Sequence, residues 1–162
     1  MEYLKLNNDV KMPVEGLGTF LMSPAEAEAA SLAALEAGYK HIDTANAYMN
    51  EKAVGRAIAK SGVARDKLFV STKLWPSVYE AGDAAIEGTL NRLGLDYVDM
   101  LILHQPVGNC LAAWKTMEKV YKEGKVRALG LSNFPQGKIA EVIDHVEIKP
   151  QLVTVECHPY FA

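Results

Sequence analysis

The sequence predicts an α/β protein: the N-terminal portion of a (β/α)8 TIM barrel, with about six βα units behind a short β-hairpin. Three observations carry this prediction. Strand-like and helix-like segments alternate along the 162 residues without a β-meander, and such alternation calls for parallel βαβ units. The strands lack clean polar/apolar alternation, as in MLIL (100–103), which is expected when both sheet faces are covered. Polar side chains also close one strand after another, and barrel enzymes place their chemistry at those C-terminal ends. An open dinucleotide-binding sheet would carry G-x-G-x-x-G after its first strand. Only Gly-Leu-Gly (16–18) stands there, so the barrel is preferred.

The elements follow in order. LKLNNDVKMPV (4–14) reads as a hairpin turning at Asn7-Asn8-Asp9, and VEGLGTF (14–20) as a short strand opening into a loop. A helix follows, with Ser23 as cap, Pro24 at its first position, Glu26 completing a capping box and Gly38 as its stop. YKHID (39–43) is a strand, and 51–62 is a helix with Val54 and Ile58 on one face. KLFVSTK (67–73) is a strand, and 78–94 is a helix striped by Ile86, Leu90 and Leu93. Strand 96–104 precedes helix 111–124, whose Trp114, Met117 and Tyr121 point inward by spacing. Strand 125–134, helix 138–146 and a sixth strand, 150–158, complete the order.

Composition narrows the function. With 49% hydrophobic and 23% charged residues, the chain suits one globular domain over residues 1–162. Its 17 basic and 20 acidic side chains, without a basic run, argue against nucleic acid or an anionic membrane as partner. No apolar stretch reaches about 18 residues, so no membrane helix is expected. MEYLKLNNDV lacks the pattern of a signal peptide. Cys110 and Cys157 have neither metal nor disulfide-framework spacing and are expected as free thiols of a cytoplasmic protein.

The strand ends carry the chemistry. They are Gly18-Thr19, Asp43 with Tyr48, Lys73, His104, Ser132-Asn133, and Glu156 with His158. Each follows an apolar run, so all are expected to face one mouth. A lone histidine there would read as structural, but six polar ends in succession point to a site. A tyrosine hydroxyl can donate a proton, and an ammonium such as Lys73 stabilises the phenolate left behind. Asp43 would pair with Lys73 so that the cation is not buried alone. His104 can hydrogen-bond a carbonyl oxygen and orient it toward Tyr48. This equipment protonates an alkoxide as it forms. None of these side chains supplies electrons, so a hydride-carrying cofactor is implied.

GYKHIDTANAYMNEKAVG (38–55), FVSTKLW (69–75), LILHQP (101–106) and KVRALGLSNF (125–134) together resemble the aldo-keto reductase family, in that family's order, over essentially all 162 residues. The resemblance implies NADPH-dependent reduction of aldehydes or ketones, an N-terminal hairpin plugging the barrel floor, and a catalytic tetrad of Asp43, Tyr48, Lys73 and His104 with Tyr48 as the acid. It puts Ser132 and Asn133 on the nicotinamide carboxamide and Gly18-Thr19 on the loop beside the ring. Phe20, Trp75 and Gln105 fall where the family lines its substrate pocket. By position alone Trp75 divides evenly between core and pocket, and the resemblance tips it to pocket.

Two departures matter. Where the family's sixth strand carries Asn-Gln, this chain has Val153-Thr154, so Thr154 offers a shorter reach to the carboxamide. The sequence also stops just past the sixth strand, so the expectation is a partial barrel. Its first and sixth strands would be exposed edges, and it would self-associate and be inactive, whereas a full-length chain would be a monomer. The remaining candidates are expected to be structural: Cys157 packed against a helix, His41 and His145 at the surface or helix ends, Glu156 and His158 lining the barrel. Two rival readings remain open. One is a barrel hydrolase binding metal through Asp43, His104, Glu156 and His158. The other is a non-catalytic partial barrel that serves assembly.

Overall fold

A computed structural model describes residues 1–161. The hairpin pairs β1 (Tyr3–Lys5) with β2 (Lys11–Pro13). Its turn closes through Leu6 and Val10, with Asp9 in the left-handed region at φ 67°, a conformation that Asp tolerates. The rest is one parallel sheet: β3 (Leu17–Gly18), β4 (His41–Asp43), β5 (Phe69–Leu74), β6 (Met100–Leu103), β7 (Leu129–Ser132) and β8 (Leu152–Thr154), paired in chain order. The crossovers carry helices α1 (Pro24–Glu36), α2 (Glu51–Ser61), α3 (Asp83–Leu93), α4 (Cys110–Lys122) and α5 (Gln136–His145). The sheet curls into a half-barrel whose edge strands are β3 and β8.

The period of two along each strand sorts side chains to the two faces. On β6, Met100 and Ile102 face inward, where Leu6, Val10 and Met12 of the hairpin cover them together with Phe69 and Ala128. Leu101 and Leu103 face outward into the main core, with Val70, Leu129 and Leu131 of neighbouring strands and Trp114 and Met117 of α4. Each of these fully buried side chains contributes about 1.5–3 kcal/mol of transfer free energy. The hairpin therefore plugs one end of the half-barrel and leaves the C-terminal strand ends free for a site.

Local signals formed as predicted at α1. Ser23 Oγ accepts from the Glu26 amide at 3.3 Å, and Glu26 returns a bond to the Ser23 amide at 2.8 Å. Elsewhere the structure differs. The predicted helix 78–94 is a 3₁₀ segment (Pro76–Ala81) followed by α3, because Gly82 between them takes φ 58°, ψ −139°, which only glycine adopts easily. The predicted strand 150–158 keeps its ladder only over Leu152–Thr154. Beyond Thr154 no neighbouring strand continues the pairing among the described residues, so the alternation that would have placed Cys157 under a helix does not apply. Cys157 is exposed. Glu156 and His158 do not line the barrel either: both are exposed and bond to each other at 2.7 Å. His41 is the clearest correction. It is buried, on the inner face of β4, because a strand residue two before Asp43 shares its face. His145 does lie at a helix end, bonded to the Glu141 carbonyl at 2.7 Å.

Candidate active site

Four strands deliver the polar groups to one layer. Asp43, Lys73 and Ser132 stand at or near the ends of β4, β5 and β7 on the inner face, and His104 directly follows β6. Lys73 is buried at 7% exposure; its ammonium bonds Asp43 Oδ2 and the Thr44 carbonyl, the latter at 3.0 Å. A buried ammonium needs such partners. Asp43 Oδ1 accepts from Ser71 Oγ at 2.6 Å.

Tyr48 comes from the 3₁₀ turn Asn46–Tyr48 between β4 and α2. Lys73 Nζ lies 5.1 Å from the centre of its ring, and the ring meets His104 edge-on at 5.5 Å. Trp75 stands at 89° against the other side of His104, 5.0 Å away, and Phe20 leans on Tyr48 at 5.0 Å. These aromatics, with Gln105 and Asn133, enclose a cavity of about 580 Å³. A cleft of about 650 Å³ beside the hairpin is larger but contains none of these groups.

Burial, and after it the Lys73 ammonium, push His104 down to about 4, so at neutral pH the ring is uncharged. Its Nδ1 is sealed without a partner. The tautomer with its proton on Nε2 leaves no N–H buried without an acceptor and turns a donor toward the cavity. The layer thus combines a phenol, a fixed ammonium and a neutral imidazole donor around one opening.

The Tyr48 turn is held from several sides. Asn50, fully buried, donates to the carbonyls of Thr19 at 2.9 Å and Met22 at 3.1 Å and accepts from Thr44 Oγ1 at 2.9 Å. Asn46 accepts from the Trp75 amide at 2.9 Å. Glu51, also buried, accepts from Thr72 Oγ1 and Arg92 Nε, each at 2.7 Å, tying α2 to β5 and α3.

The other predicted residues fall as follows. Gly18 is exposed at the mouth, whereas the Thr19 side chain is buried, its hydroxyl 3.1 Å from the Asp43 carbonyl and 3.3 Å from Asn50 Oδ1. Trp75 takes the pocket alternative. Gln105 lines the cavity, its backbone clamped by Tyr79, whose hydroxyl bonds the Gln105 carbonyl at 2.8 Å. Asn133, at φ 62°, holds its amide 3.4 Å from the His104 carbonyl and 3.2 Å from Ser132 Oγ. An amide beside a hydroxyl, opening onto the cavity, matches the donors and acceptors of a carboxamide, so the nicotinamide end of a dinucleotide fits these residues. Thr154 pairs in register with Ser132 but is exposed on the edge strand.

Sequence reasoning missed Asn50, Thr44, Ser71 and His41. The alternation His41/Asp43 and Ser71/Lys73 was the available signal for His41 and Ser71, whereas nothing local marked Asn50 or Thr44. The rival metal set is not assembled. Asp43 is engaged by Lys73 and Ser71, Glu156 pairs with His158, and no group of three or more His, Cys, Asp or Glu side chains converges among the described residues.

Comparison with known proteins agrees with this geometry. Residues 16–162 match the family model described as the Aldo/keto reductase family. The chain is 43% identical over 164 residues to morphine 6-dehydrogenase of Pseudomonas putida, spanning 98% of this chain and 55% of that protein. It is 44% identical over 160 residues to glyoxal reductase of Bacillus subtilis, spanning 96% and 58%. It therefore extends over little more than half the length of these curated relatives. Among solved structures, an aldo/keto reductase from Brucella melitensis superposes with a TM-score of 0.95 at 39% identity, over 99% of this chain and 64% of that one. A Bombyx mori aldo-keto reductase in complex with NADP gives 0.91 at 32% identity, over 96% and 58%. With the strand order, the polar layer and these likenesses in agreement, the chain belongs to the aldo/keto reductase family.

Proposed function

We propose that this chain carries the proton-donating half of an NADPH-dependent reduction of aldehydes or ketones to alcohols. The observation that supports it most is the buried Lys73–Asp43 pair set beneath the Tyr48 ring, with a neutral His104 against that ring. His104 Nε2 donates to the carbonyl oxygen and fixes its direction. Tyr48 passes its hydroxyl proton to that oxygen as negative charge builds there. Lys73 stabilises the resulting phenolate, and Asp43 holds Lys73 in place. Ser132 and Asn133 orient the carboxamide, with Thr154 as a shorter third contact. NADPH supplies the hydride when bound. Phe20, Trp75 and Gln105 flank the carbonyl compound. The same reading assigns the chemistry to the cytoplasm, supported by two unpaired thiols, Cys110 and Cys157. It also has the chain self-associate through the β3 and β8 edges.

The test is NADPH oxidation with glyoxal, the substrate named for one relative, followed by absorbance. Turnover is expected to be abolished by Tyr48→Phe and reduced at least about a hundredfold by Lys73→Met, on the scale of lost general-acid catalysis. Turnover that is measurable in the parent chain and equal in Tyr48→Phe overturns the assignment.

A further inference from the structure

We propose that His41, acting through Ser71, is a positioning residue for the Asp43–Lys73 pair. Ser71 Oγ lies 2.6 Å from Asp43 Oδ1 and 2.8 Å from His41 Nε2. An ionised carboxylate can only accept, so the serine proton points to Asp43. The serine oxygen then accepts, and the His41 proton must sit on Nε2. Donors therefore run in one direction, from His41 to Ser71 to Asp43, and the carboxylate receives Lys73 on its other oxygen.

The backbone builds this arrangement. His41 and Asp43 are two apart on β4, Ser71 and Lys73 are two apart on β5, and the register sets Asp43 opposite Ser71. All four share the inner face. The His41 ring is also fixed. Phe69 meets it nearly edge-on at 5.0 Å, and a Cβ at Gly16 would lie 2.7 Å from its Nδ1, so only glycine leaves room for the ring. Burial lowers the ring's affinity for a second proton, which favours the single neutral tautomer. With both oxygens of Asp43 occupied, the carboxylate cannot rotate, and the ammonium stays under the Tyr48 ring. Removing the serine hydroxyl frees Oδ1, and Lys73 loses its fixed partner.

The inference rests on the proposed role of Lys73, but its first test does not need turnover. Nitrogen-15 NMR of the labelled chain is expected to show the His41 proton on Nε2, and Ser71→Ala or His41→Phe is expected to move the Lys73 Nζ signal. Ser71→Thr and His41→Gln, which keep the hydroxyl and the donor, are expected to leave it near its original position. Thermal unfolding identifies any variant that fails to fold, and His41→Phe preserves ring volume for that reason. In the turnover assay, Ser71→Ala and His41→Phe are expected to lower kcat about tenfold, the scale of a lost hydrogen bond to a charged group. KM for glyoxal should be unchanged, and the alkaline limb of the pH profile should move up. A proton on Nδ1, or a Lys73 signal unmoved in both variants, overturns the proposal. A parent chain without turnover is the outcome expected of a partial barrel, and the NMR result alone then decides the positioning role; turnover that Tyr48→Phe leaves unchanged is what makes the proposed function fail.

Discussion

Replacing Asn50 by alanine should loosen the turn that carries Tyr48, and the structure sets the size of the effect. Asn50 is fully buried and supplies partners to three groups: the carbonyls of Thr19 and Met22 and the hydroxyl of Thr44. The Thr19 carbonyl keeps the Met22 amide at 3.2 Å as a second donor, so the Met22 carbonyl and the Thr44 hydroxyl bear the loss. The Thr19 hydroxyl keeps the Asp43 carbonyl as a second acceptor, so it loses little. Each neutral buried bond contributes about 1 kcal/mol net, and an abandoned buried partner costs about 1–3 kcal/mol. Two such losses, partly relieved by relaxation, amount to about 2 kcal/mol. For a domain of this size that corresponds to a fall in Tm of about 4–8 °C. Far-UV circular dichroism during heating measures the fall, and urea midpoints check it. Asn50→Asp should do no better than alanine, because its second oxygen would face two carbonyls. A Tm within about 2 °C of the parent would refute the reasoning, since two unpartnered groups cannot be that cheap.

Three further outcomes are expected. His104 is held at about 4, well below the ordinary histidine range, so between roughly pH 6.5 and 4 the unfolded chain binds a proton that the folded chain refuses. Stability is therefore complete above about pH 6.5 and falls by about 2–3 kcal/mol as pH drops toward 4. His104→Gln should flatten that slope in urea titrations, and an identical slope would contradict the assignment. Thr154→Gln lengthens the reach beside Ser132 and should tighten NADPH binding about fivefold, the worth of one added hydrogen bond; calorimetry showing no change would count against a carboxamide contact there. Val153, half-exposed on edge strand β8, should support self-association. Val153→Lys is then expected to shift sedimentation velocity profiles toward the smaller species, as charged edges do, and profiles that superpose would exclude this edge.

The sequence by itself determined the order of elements, the parallel sheet and the capped first helix. Each of these is local or periodic: a capping box spans four residues, and apolar runs, turn residues and strand-end polar groups can be read along the chain. Asp43, Lys73 and His104 were legible because each follows an apolar strand. Where a strand stops was not legible. Leu152–Thr154 is short because a ladder needs a neighbour, and the exposure of Cys157, Glu156 and His158 follows from that pairing rather than from their types.

Only the tertiary structure decided which neighbours complete the layer. Asn50 closes on Thr19 and Met22, 28 or more residues away, and His41 reaches Asp43 through Ser71 of another strand. It likewise lowers the proton affinity of His104, since burial and the ammonium of Lys73 act on it only once β5 and β6 lie side by side. Hydrogen bonds and desolvation act through a few ångströms of space, and separation along the chain does not encode that distance until the strands are in register.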